Sequence, residues 1–250
     1  MLRPPLVLLA HGFTQTHASW APVTQLVEGR ATVLSPDAPG HGEATNLHLN
    51  LEQSATRLAE LIGERSAVVV GYSMGARTAI RLALDHPSSV SALLLIGGTA
   101  GIEDQTLRAQ RRRSDEDLAM RIQLIGVERF LDEWMAQSLF DGLELVPEDL
   151  CARRNNSADG LASSLRLAGT GTMEPPWWDD LHRIEVPTVV MWGEHDTKFA
   201  ALGKRMVSEI GSNATSRCVD NAGHAVHLQQ PDVVAEVIVE LIDETANLDE

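Results

Sequence analysis

Six short apolar runs punctuate the chain, at Leu6–Ala10, 31–35, 67–70, 90–97, 188–192 and 216–219. Most are continuously apolar and rich in Val, Leu and Ile, the pattern of strands covered by helices on both faces. Between them lie segments with apolar residues at helical spacing, 51–63, 75–86, 201–210 and 231–244. The last carries Val234, Val237, Ile238 and Leu241 on one face and acids on the other. Strand and helix alternating in this way predict an α/β architecture with a mostly parallel, doubly wound sheet of about six main strands.

The alternation stops between residues 101 and 183. There the chain is helix-like, rich in Arg, Asp and Glu, and without a strand candidate. It closes on a loop-like stretch, Gly169-Thr170-Gly171-Thr172-Met173-Glu174-Pro175-Pro176. The expected organisation is a core domain from 1–100 and 184–250, with 101–183 inserted as a helical cap over the carboxyl ends of the strands, where open α/β sheets bind ligands. The start of the chain, with Arg3 ahead of Leu6–Ala10, has the look of a secretory leader. However, Pro4 and Pro5 interrupt it and His11-Gly12 stands where a small-residue cleavage site belongs, so the run reads as a buried strand. No window approaches the roughly 18 apolar residues of a membrane span.

One of the runs leads directly into Gly71-Tyr72-Ser73-Met74-Gly75, and a helical pattern begins at once. A G-x-S-x-G string alone is weak, because Gly and Ser are common. Between a buried strand and a helix it acquires a physical reason: so tight a turn strains its apex residue, and the neighbours must be small for the backbones to pass. The hydroxyl is then held at the positive end of a helix. A serine is inert near neutral pH unless an imidazole accepts its proton and an acid fixes the imidazole tautomer. Two later runs end in suitable groups: 188–192 leads into Gly193-Glu194-His195-Asp196, and 216–219 into Asp220-Asn221-Ala222-Gly223-His224. Asp196 and His224 are the expected partners of Ser73. Glu194 competes with Asp196 and His227 with His224; the loop position of Asp196 and the sharp approach through Gly223 favour the first of each pair. The first run ends in His11-Gly12-Phe13, which points to the backbone N–H groups of Phe13 and Met74 as oxyanion-hole donors.

With these motifs in place, the chain resembles the α/β-hydrolase superfamily over essentially its whole length. Further residues resemble the branch typified by 2-succinyl-6-hydroxy-2,4-cyclohexadiene-1-carboxylate synthases, which eliminate pyruvate in menaquinone biosynthesis. The resemblance implies a lyase using Ser73, His224 and Asp196. It also implies a substrate site with Arg77 four residues after the serine, Arg111 within Arg108-Ala109-Gln110-Arg111-Arg112-Arg113, Arg153 ahead of Asn155-Asn156, Tyr72 beside the nucleophile, and Trp134 with Phe140 on a cap helix. Met173 and the tandem Trp177-Trp178 depart from the branch. Carboxylates are what paired guanidinium donors bind best, and the three arginines are expected to converge on one mouth. Arg112 and Arg113 read instead as a solvated face. The alternative reading of the same triad is a serine carboxylesterase, thioesterase or carbon–carbon bond hydrolase.

Charge and cysteine content narrow the partners. A formal charge of -15 repels nucleic acid and anionic membrane, leaving a small carboxylate-bearing molecule as the expected partner. Cys151 and Cys218 lie far apart with no CxxC spacing, so neither a disulfide framework nor a zinc knuckle is expected, and a reducing cytoplasm is the natural setting. No G-x-G-x-x-G follows a strand and no HExxH is present, so neither cofactor nor metal is expected.

Overall fold

The computed structural model describes residues 4–248; residues 1–3, including the Arg3 of the leader-like reading, and 249–250 lie outside the described residues. Six strands, β1 (Leu6–Ala10), β2 (Thr32–Leu34), β3 (Ala67–Tyr72), β4 (Val90–Ile96), β5 (Thr188–Gly193) and β6 (Ala214–Val219), form one sheet in the order β2-β1-β3-β4-β5-β6. Every neighbouring pair is parallel. The chain runs outward from β1 to β2, then returns to β3 and proceeds to the opposite edge. This reversal leaves a crevice at the carboxyl ends of β1 and β3, the usual ligand position in open α/β sheets. Ala10, the last residue of β1, is level with Gly71 of β3, so the turns that follow them emerge side by side.

The continuous apolar runs are explained by burial of both faces. Leu6, Leu8, Val69, Leu93 and Leu95 pack towards α2 (Leu51–Ile62), α3 (Met74–Asp85) and α8 (Thr197–Ile210). Their neighbours Val7, Leu9, Val68, Val70 and Leu94 pack on the other face against α1 (Ala21–Val27), α9 (Val226–Gln229) and α10 (Pro231–Leu248). This is the two-residue alternation of a pleated strand with apolar groups on each side. The two edge strands are the exceptions: in β2 Thr32 is exposed and Val33 and Leu34 are only partly buried, and in β6 Thr215, Ser216 and Cys218 are exposed. The helix α1 has no counterpart in the hydrophobic pattern, because its single short stripe, Val23 and Val27, is too brief to register a period. The start of α8 lies four residues ahead of the expected 201, because the Asp196 side chain caps it, accepting from Phe199 N–H at 3.3 Å.

Between β4 and β5 lie α4 (Gln105–Ile125), α5 (Val127–Met135), α6 (Pro147–Arg154) and α7 (Ala158–Ala168). Ala119, Ile122, Phe130, Leu161, Ala162 and Leu165 form a separate apolar cluster among them, and Phe13 packs on it from the turn after β1. Met173, Trp177, Trp178 and Leu181, later in the same stretch, pack instead with α3 and α8 beneath the sheet. Among the described residues no helix is long and apolar enough to cross a membrane.

Two buried histidines join the turn after β1 to the loop 37–42. His11 Nε2 accepts from Ala38 N–H at 2.9 Å while Nδ1 donates to Gly12 O at 2.8 Å. His41 Nε2 accepts from Thr14 N–H at 3.3 Å while Nδ1 donates to Pro39 O at 3.1 Å. Each ring therefore uses both nitrogens in its neutral form. Burial holds His11 down at about 4 and His41 at about 3, against an ordinary 6.5. Between pH 6.5 and about 4 the unfolded chain thus binds more protons than the folded one, and stability must fall as pH is lowered through that window. Thermal melts are expected to show this decline, roughly 3 kcal/mol of it from His11. His11→Gln, which keeps an acceptor but does not titrate, should flatten the slope; an unchanged slope would exclude His11 as its source.

Candidate active site

The turn from β3 into α3 places Ser73 at φ 52 and ψ -102, a conformation that side chains other than glycine rarely adopt. It is held because the backbones around it are nearly in contact. A Cβ on Gly75 would come 2.0 Å from Ala10 O, and one on Gly71 2.5 Å from Gly75 O. Only glycine fits either place. Ser73 N–H donates to Ile96 O at 2.8 Å, tying the apex to β4. The Ser73 side chain projects into a cavity at the carboxyl ends of the strands.

His224, on the loop after β6, stands with Nε2 3.1 Å from Ser73 Oγ and Nδ1 2.6 Å from Asp196 Oδ2. A carboxylate at Nδ1 fixes the proton there and leaves Nε2 to accept from the serine hydroxyl. The ring is packed by Phe199 at 4.4 Å between centroids and by Tyr72 at 5.2 Å. Gly97 (φ 58) passes beneath it, where a Cβ would lie 2.6 Å from His224 Cε1. The rival groups are occupied elsewhere. Glu194 accepts from Asn221 N–H at 3.1 Å. His227 is fully buried against Trp20 and Tyr72, and its Nε2 accepts from the Gln15 amide at 3.1 Å.

The cavity measures about 280 Å³. Phe13 and Met74, the expected oxyanion donors, both line it beside Ser73. As the first residue of α3, Met74 has a backbone N–H without an intrahelical acceptor. Leu118, Trp134, Leu139, Leu165 and Phe199 make its apolar wall. Among the described residues its charged lining is cationic throughout: Arg77, Arg111 and Lys198, with no Asp or Glu. Arg77 is buried one turn after Ser73, and Nη1 donates to Ala168 O. Burial, reinforced by Arg111 and partly offset by Asp115, holds its guanidinium down to about 9. Arg111 pairs with Asp115 at 2.8 Å, and the other oxygen of that buried carboxylate has no hydrogen-bond partner. Partial burial and the charge of Arg111 also lower the Lys198 ammonium below its ordinary range, while Asp196 opposes the shift.

Of the expected site residues, the structure brings Ser73, His224, Asp196, Phe13, Met74, Arg77, Arg111 and Trp134 together. Tyr72 is buried behind His224, outside the cavity lining. Arg153 does not join the other arginines. It is 1% exposed, bound through Nε to Asp149 Oδ2 at 2.8 Å and through Nη1 to Thr14 Oγ1 at 3.4 Å, and it does not line the cavity. The spacing Asp149–Arg153, one helical turn, was the signal that this guanidinium has an internal partner. Lys198 was not among the expected site residues; a cation two residues beyond an acid at a strand end was the available clue. Among the described residues no group of three His, Cys, Asp or Glu side chains is placed to hold a metal ion.

The family model described as alpha/beta hydrolase family matches residues 7–237. A Bacillus subtilis (strain 168) protein named, provisionally, as a 2-succinyl-6-hydroxy-2,4-cyclohexadiene-1-carboxylate synthase is 33% identical, over 94% of this chain and 89% of its own. The synthase of that name from Enterobacter sp. (strain 638) is 27% identical, over 95% and 92%. Among solved structures, MenH from S. aureus superposes with a TM-score of 0.91 at 28% identity, covering 98% of this chain and 96% of that one.

The geometry gives two expectations. A fluorophosphonate should label Ser73 in the native protein and leave Ser73→Ala unlabelled; label on another residue would displace Ser73 as the reactive hydroxyl. Gly75→Ala should abolish labelling, because its methyl cannot enter between α3 and β1 without moving the turn. Labelling at the native rate would contradict the close approach.

Proposed function

The chain belongs to the alpha/beta hydrolase family, and within it we propose that it is a carbon–oxygen lyase of menaquinone biosynthesis, eliminating pyruvate from 2-succinyl-5-enolpyruvyl-6-hydroxy-3-cyclohexene-1-carboxylate. The observation that carries this reading is the cationic cavity over Ser73. In a protein of formal charge -15, the one wall facing the serine presents Arg77, Arg111 and Lys198 and no acid. An apolar pocket for neutral esters gains nothing from buried guanidinium groups, whereas a substrate bearing several carboxylates requires them. Likeness to the synthases along nearly the whole chain supports the same choice.

In this mechanism His224, oriented by Asp196, takes the Ser73 proton, and Ser73 Oγ removes a proton from the carbon acid. The electron pair passes to the adjacent carbonyl oxygen, whose charge is met by the N–H groups of Phe13 and Met74. The returning pair forms a C2–C3 double bond, the ring C3–C4 double bond shifts to C4–C5 and the C5–O bond breaks; enolpyruvate leaves and takes the proton held by His224 to become pyruvate, while Ser73 keeps the proton drawn from carbon. Arg77 binds a carboxylate at the depth of the cavity, and the more exposed Arg111 and Lys198 do so nearer its mouth. No covalent intermediate is required. The buried and paired state of Arg153 takes it out of this clamp.

A second reading keeps Ser73 as a nucleophile towards esters, thioesters or carbon–carbon bonds, and the 3.1 Å approach of His224 Nε2 to Ser73 Oγ serves it equally well. The two separate in parallel assays of pyruvate release and of p-nitrophenyl ester hydrolysis. Pyruvate release well above ester turnover is expected; rapid ester turnover without pyruvate release would overturn the lyase. Arg77→Ala is expected to lower kcat/KM for the anionic substrate about 10- to 100-fold and to change a neutral ester by under about threefold. Burial lowers the Arg77 guanidinium, yet it keeps its charge at neutral pH, where the carboxylates of the substrate would meet it.

A further inference from the structure

Behind the cavity wall lies a buried polar cluster that the chemistry above leaves unused. Its centre is the turn 12–15, closed by Gln15 N–H donating to Gly12 O at 3.2 Å and Gly12 N–H donating to the Gln15 side chain at 2.9 Å. Phe13 is the second residue of this turn and Thr14 the third, at φ 67. A four-residue turn with positive φ at its third position ordinarily carries glycine there, because a side chain is strained. A β-branched one is strained most.

Thr14 is fully buried, and three distant side chains hold its three polar groups. Its N–H donates to His41 Nε2 at 3.3 Å, its carbonyl accepts from Asn156 Nδ2 at 2.9 Å, and its Oγ1 accepts from Arg153 Nη1 at 3.4 Å. Arg153 belongs to α6, and Asn156 follows that helix closely. Both are themselves anchored. Asp149 binds Arg153 with one oxygen at 2.8 Å and accepts from Ser19 Oγ with the other; Asn156 Oδ1 accepts from Gly42 N–H at 2.8 Å. None of Thr14, Asp149, Arg153 and Asn156 lines the cavity. Arg153 carries a further oddity: Nη2 is buried with no hydrogen-bond partner. A guanidinium kept under that penalty, buried and away from the cavity lining, has its bonded arms on Asp149 and Thr14.

We infer that Arg153 and Asn156 are positioning residues, a clamp from the α6 segment that keeps Thr14 in its left-handed conformation and so keeps the Phe13 N–H aimed into the cavity. Released from the clamp, Thr14 relaxes towards extended backbone, the Gly12–Gln15 bond opens, and the donor ahead of it turns away. An oxyanion donor displaced by about 1 Å loses on the order of a hundredfold in rate, while ground-state binding by Arg77 and Arg111 is untouched. The inference rests on the reading of Phe13 as an oxyanion donor given above, but not on the identity of the substrate.

The test is Asn156→Ala, with Asn156→Ser as a second variant should the first not fold. The rate of Ser73 labelling by a fluorophosphonate, whose phosphoryl oxygen needs the same donors, is expected to fall at least about tenfold in a protein that still melts cooperatively. For the lyase reaction kcat should fall in parallel, with KM within about twofold of the native value. In a Thr14→Gly background, which removes the strain and retains the carbonyl, Asn156→Ala should cost less than it does beside threonine. A folded variant that labels at the native rate, a loss confined to KM, or an undiminished cost in the Thr14→Gly background would each overturn the clamp. Failure of the substrate reading shows differently: native protein would take the label yet release no pyruvate, and the labelling comparison would still decide the clamp.

Discussion

Everything at the candidate site depends on how closely two backbones pass at the carboxyl ends of β1 and β3. Neighbouring parallel strands bring Ala10 and Gly71 level, and α3 then has to leave the sheet without striking β1. With no Cβ on Gly75, it clears Ala10 O. That clearance compels the unusual backbone at Ser73 and lifts its hydroxyl off the sheet; the turn after β1 is brought alongside it by the same register. The Ser73 hydroxyl and the turn beside it are thus products of one steric condition. His224 and Asp196, on later loops, need only reach a fixed point.

The second determinant is the distribution of charge. The molecule as a whole is acidic, yet the cavity wall is cationic, and one of its guanidinium groups is buried enough to be pushed down to about 9. Burial removes the water that would otherwise compete for that group, so a carboxylate entering the cavity replaces missing solvation. Asp115 offsets part of this charge from behind the wall, pairing with Arg111 without lining the cavity itself.

Much of this was legible in the chain. The inner strands could be read because both faces of the sheet are covered there, so that each declares itself as an unbroken apolar run; edge strand β6, with its exposed Ser216 and Cys218, was the faintest. The order serine, acid, histidine was readable because each residue lies in the turn or loop that follows a strand, and the structure brings Ser73, His224 and Asp196 within hydrogen-bonding reach. What could not be read was direction. Sequence places Arg77, Arg111 and Arg153 in a helical context but does not say which way each side chain turns. Two turn to the cavity, and Arg153 turns inward to Asp149 and Thr14. Lys198 escaped for the same reason, as an ordinary cation until α8 is known to begin beside the cavity.

Asp196 divides its two oxygens between unlike tasks, one on the first turn of α8 through Phe199 N–H and the other on the His224 imidazole. The helix start, the aromatic ring against the imidazole and the Lys198 ammonium at the rim are therefore consecutive parts of a single lever hinged on one carboxylate. Lengthening that segment by a residue would unseat the imidazole and the rim cation in the same stroke. The rest of the lining is freer to drift: α4 and α5 supply Ser114, Leu118 and Trp134, none of which is hydrogen-bonded to Ser73, His224 or Asp196.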